Sequence, residues 1–98
     1  MSEQDEFQRR IDLLNQTHSF PTQVTVKVIG WNQPTFVAAV VEVVRIEGVL
    51  DADPPYTIRE ARGNRHVAIT LEPHLAAAEQ VLAIYARLQT LEGVVFLM

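Results

Sequence analysis

A sandwich of two helices on one face of a four-stranded antiparallel sheet is the α+β fold class that this 98-residue sequence predicts. Three observations carry it: two segments with apolar residues at helical spacing, four shorter segments with the alternation or apolar run of strands, and their order. That order is β, α, β, β, α, β behind one leading helix. The length fits one domain, with the apolar stripe of each helix set against one side of the sheet.

Residues 1–19 read as an N-terminal helical extension. Phe7, Ile11 and Leu14 recur at i, i+4, i+7 among charged and amide residues, which is one short amphipathic helix, with a partly flexible chain before Phe7. Phe20-Pro21 breaks the pattern, and residues 20–98 read as the folded domain. Val24-Thr25-Val26-Lys27-Val28-Ile29 alternates as a half-buried strand does, and Gly30 ends it. Asn32 then reads as a helix N-cap, with Trp31 packed on Phe36 across it and Pro34 in the first turn. Phe36, Val37, Val40, Val41 and Val44 share one face of that helix, and Gly48 stops it.

Gly48 to Pro55 is the longest predicted loop. A hairpin follows, with Tyr56–Arg62 and Arg65–Leu71 flanking a two-residue turn, Gly63-Asn64. That turn sets Ala61 opposite His66, Ile58 opposite Ile69 and Tyr56 opposite Leu71, so Tyr56, Ile58, Val67, Ile69 and Leu71 share the core face. Pro73 opens the second helix, whose stripe is Leu75, Ala78, Val81, Leu82, Tyr85 and Leu88. After Gly93 comes a wholly apolar strand, Val94 to Met98. A split βαβ pair with both helices on one sheet face is the ferredoxin-like βαββαβ arrangement, with strand order 4-1-3-2. Ile58, Leu82 and Tyr85 are expected in its core beside Val28, Val40, Ile69 and Leu88.

Composition narrows the function classes. The formal charge of -4 gives no general attraction to phosphate backbones, the absence of cysteine excludes disulfides and thiolate sites, and no apolar run approaches the roughly 20 residues that cross a bilayer. The acidic start, Ser2-Glu3-Gln4-Asp5-Glu6, is unlike an export signal. A cytoplasmic protein without membrane contact is expected. His18, His66 and His74 fall in a loop, a strand and a helix start, without the close spacing of a zinc site, so neither metal nor cofactor is expected. No Ser/His/Asp or paired-carboxylate constellation stands out, and the turn from Gly30 to Thr35 lacks the Arg that phosphoryl chemistry needs. The chain is therefore expected to be no enzyme.

Two surfaces invite a partner. Arg59, Arg62 and Arg65 cluster on the hairpin of an acidic protein and, with His66, form a surface suited to an anionic partner; Arg62 and Arg65 are expected to face each other across the turn. The final strand, Val94-Val95-Phe96-Leu97-Met98, is expected at a sheet edge with no guarding charge, open to self-association or to a protein partner. Arg62 to Ile69 has the outline of the third-strand octamer of RNA-recognition domains. Its stacking positions, however, fall on Asn64 and His66, and the first strand offers Thr25 and Lys27 where an aromatic is needed, so nucleic acid is disfavoured.

Several segments together resemble the bacterial YbeD-like family: Phe20-Pro21, Val26-Lys27-Val28-Ile29-Gly30, Phe36 to Val44, Gly63-Asn64, and Glu79 to Leu88 leading into the terminal strand. The resemblance implies an ACT-like, ferredoxin-like domain and a non-catalytic regulatory or protein-interaction module. Around the hairpin turn this chain has Ala61-Arg62 and Arg65 where the family tends to carry serines and a tyrosine. ACT domains bind amino acids in the turn between the first strand and first helix, here Gly30, Trp31 and Asn32. The alternative expectation is therefore a small-anion or metabolite sensor using that turn or the arginine hairpin.

Overall fold

The computed structural model describes residues 2–98. Its elements are α1 (Glu3–Thr17), β1 (Thr22–Gln23), β2 (Val26–Trp31), α2 (Pro34–Glu47), β3 (Tyr56–Glu60), β4 (His66–Leu71), β5 (His74–Leu75), α3 (Ala78–Thr90) and β6 (Val94–Leu97). β3, β4, β2 and β6 form, in that spatial order, a four-stranded sheet whose neighbours are all antiparallel, and β1 with β5 form a two-stranded one. The chain is an α+β domain.

Alternation along the strands decides which sheet face is covered. Val26, Val28, Val67, Ile69 and Leu71 are fully buried, each stabilising the fold by about 1.5–3 kcal/mol through leaving water. They meet Phe36, Val40 and Val44 of α2 and Val81, Ile84 and Leu88 of α3 in one core. Gly30 is required inside it, because a Cβ there would overlap the Phe36 ring and lie 2.6 Å from the carbonyl oxygen of Gly93. The intervening residues of β2 and β4 point to the opposite face.

The structure corrects several expectations. α1 begins at Glu3, four residues before Phe7, because Ser2 and Asp5 form a reciprocal capping box. It packs on α3 through buried Ile11. α3 begins at Ala78, five residues beyond Pro73. The Pro73 carbonyl accepts the Val24 N–H and the next two residues pair with β1, so the backbone there is committed to strand bonds before a helix can start. The helical phase that results buries Ile84, while Leu82 turns toward the groove beside Phe7 of α1 and stays half-buried. Tyr85 is half-buried as well. Its hydroxyl donates to the backbone oxygen of Met98, and desolvation pushes its pKa above the ordinary tyrosine value.

The hairpin register is the expected one, with Ile58 opposite Ile69, yet Ile58 remains 47% exposed and Tyr56 is exposed too. The helices cover β4 more fully than β3, which packs chiefly on β4 and meets α2 only at a shallow recess beside Tyr56. The turn is also wider than two residues. Ala61 accepts from Asn64 and donates to His66, which leaves Arg62 and Arg65 inside the turn where they were expected as a cross-strand pair.

Candidate functional site

The covered core leaves one sheet face open, and the sequence-predicted residues gather there. Trp31 borders the recess at the start of α2 together with Phe36. It is the last residue of β2, 48% exposed on the open face, and it stacks on His66 of β4 with ring centroids 4.9 Å apart. Asn32 does not cap α2; Gln33 holds the cap position without a side-chain bond, and Pro34 at the first helical position needs no donor partner. The Asn32 side chain instead donates to the Asn64 carbonyl at 3.0 Å, and its backbone N–H donates to the Arg65 carbonyl at 2.9 Å.

The two expected sites are thus one. The turn Gly30-Trp31-Asn32 and the hairpin end Asn64-Arg65-His66 are laced together at one end of the sheet, with Arg62 in the adjoining turn. Arg59 lies further along the same face, opposite Ala68. The space beside the Gly30 backbone is filled by the Phe36 ring.

Two members of this face were missed in the sequence. Ending the first strand at Gly30 removed Trp31 from it, although one more step of the alternation, Val28 in, Ile29 out, Gly30 in, Trp31 out, would have included it. Phe96 was hidden by a bulge. Register shifts by one residue between Ile29 and Gly30, so β6 pairs Phe96 with Ile29 on the open face and sets both Val94 and Leu97 against the core. Strict alternation would place Val94 with Phe96 and opposite Leu97.

Charge is sorted between the two sides of the molecule. Arg9 and Arg10 pair with Glu6, Arg45 with Asp53 and Arg87 with Glu47, each arginine standing on a helix. Among the described residues the other four cations, Lys27, Arg59, Arg62 and Arg65, form no ion pair. Two of them stand on the open face and two in the turn at its edge. Beside them, a recess of about 400 Å³ is lined by Lys27, Ile29, Thr57, Arg59 and Thr70. Among the described residues no group of three His, Cys, Asp or Glu could hold a metal ion, and no helix is long and apolar enough to cross a membrane.

The family model described as "Protein of unknown function (DUF493)" matches residues 15–98, from the second half of α1 through β6. No curated protein matches the chain.

Proposed function

The chain belongs to the DUF493 family, and from that premise we propose that it works by binding rather than catalysis, as a regulatory or interaction module whose contact surface is the open sheet face and whose partner there is anionic. The observation that carries this reading is the sorting of charge: every cation without an ion pair among the described residues lies on that face or in the turn at its edge. The helix-side arginines share their charge with neighbouring carboxylates, whereas Lys27 and Arg59 have no such neighbour within ion-pair distance.

The finer family reading, a YbeD-like, ACT-like domain on a ferredoxin-like scaffold, is supported by the spatial strand order β3-β4-β2-β6. A cysteine-free chain suits a reducing, cytoplasmic setting. The metabolite-sensor alternative loses support at the turn of Gly30 to Asn32, where the polar groups of Asn32 are engaged by the hairpin backbone. A second contact is proposed for the edge strand β6: Val95 and Phe96 are exposed there without a guarding charge, which favours self-association through Val94 to Met98.

Titration with heparin fragments at low salt, followed by amide chemical shifts, tests the anionic reading. Shifts are expected at residues 27–31, 57–59 and 66–70, and a Lys27→Glu, Arg59→Glu double variant should abolish them. Shifts confined to the helices, or none, would overturn the reading.

A further inference from the structure

We propose that the open sheet face binds single-stranded nucleic acid, an inference that rests on the anionic-partner reading and names its partner. Pairing across the sheet sorts the side chains of this face into three rows. Trp31 and His66 form the first; Phe96, Ile29, Ala68 and Arg59 the second; Lys27, Thr70 and Thr57 the third. Two-residue steps along a strand set the rows about 6.6 Å apart.

Rings occupy the first two rows and cations the last two. A chain of nucleotides laid along β2 therefore meets flat apolar surface for its bases and Lys27 and Arg59 for its phosphates, with Arg62 and Arg65 reaching from the turn. Both rings are partly available. Phe96 is 52% exposed, and Trp31, 48% exposed, has one face on His66 and an edge near Gly93, in a recess that Glu92 also lines. An acidic peptide would use the cations and leave the rings idle, and a small anion would span neither ring.

The net charge of -4 does not oppose this. None of the nine side chains in the three rows is acidic, and Glu72 and Glu92 stand outside the strands. Glu60 ends β3 opposite Val67, so its side chain is directed away from the open face, and the remaining carboxylates lie on the helices and the loop before β3. The shortest dimension of the molecule is 20 Å, about twice the screening length of roughly 8–10 Å at ordinary ionic strength. The open face thus presents its own local charge to a partner.

The protein holds a single tryptophan, so Trp31 fluorescence reports a base stacked on it. Short single strands of RNA and of DNA at low salt are expected to quench it to saturation; a response to either supports the proposal. Four phosphate contacts should give a log–log salt dependence with slope about -3, and Lys27→Ala with Arg59→Ala should flatten it to about half. Phe96→Ala, read by anisotropy of a labelled strand, should weaken binding roughly five- to a hundredfold while far-ultraviolet circular dichroism stays unchanged. Heparin binding without quenching by either strand would overturn the inference and leave the anionic reading standing. So would a poly-glutamate peptide of matched charge binding as tightly, or an unchanged affinity in Phe96→Ala. Failure of heparin and strands alike would sink both.

Discussion

Val49 carries the one backbone conformation that its side chain resists. α2 ends in a Schellman turn, with the Leu50 N–H bonded to the Arg45 carbonyl and the Val49 N–H to the Ile46 carbonyl. That geometry needs a left-handed residue just past the cap, and Val49 fills the position at φ 52°. Gly48, the apparent stop signal, sits one residue earlier in right-handed conformation at φ -81°. It is glycine for another reason: a Cβ there would lie 2.8 Å from the Val44 carbonyl oxygen. A β-branched residue in the left-handed region costs about 1–2 kcal/mol, and glycine's extra unfolded-state freedom returns part of that. Val49→Gly is therefore expected to raise unfolding free energy by about 0.5–1 kcal/mol in urea titration, while Val49→Ile, equally branched, should gain nothing. A loss in Val49→Gly would mean that the 79% exposed side chain contributes packing after all.

At the scale of elements, β6 has apolar side chains on both faces and a bulge at Val95 as its only protection. Bulges and edge charges are the two usual devices against unwanted strand pairing. A lysine would add the missing one. Sedimentation equilibrium should show the 98-residue chain associating in a concentration-dependent way and Val95→Lys remaining monomeric; an unsubstituted chain that is monomeric at every concentration would remove self-association from the reading. β6 also marks the limit of what the sequence discloses. Five apolar residues in a row give no alternation in which a bulge could be seen, so the face of Phe96 was unreadable. The hairpin register, by contrast, was legible, since Gly63-Asn64 supplies two positive-φ residues and the alternation of β4 fixes the rest. The start of α3 was misread because Pro73 fits a helix's first turn as well as it fits the strand bond it actually accepts.

Across the whole molecule, the element order and the buried stripes could be read from periodicity, while the site could be read only in pieces. Arg59, Arg62, Arg65 and His66 stood out by composition, and Gly30, Trp31 and Asn32 by their place after a strand. That they share one end of one sheet depends on β2 pairing with β4 at Trp31 and His66, 35 positions apart, which no local pattern encodes. The layered build has a further consequence at β3. This strand is hydrogen-bonded to a single neighbour, and all five of its residues are exposed. Its detachment would uncover almost no core, so it forms a cooperative unit of its own, opening at a free energy well below that of global unfolding. Amide deuterium uptake over Tyr56–Glu60 is expected to run far ahead of Val26–Trp31, and equal protection of the two strands would contradict it. Arg59 and Thr57 ride on that flap, so a partner seated against them would slow its exchange, and occupancy of the open face would be legible in the breathing of its outermost strand.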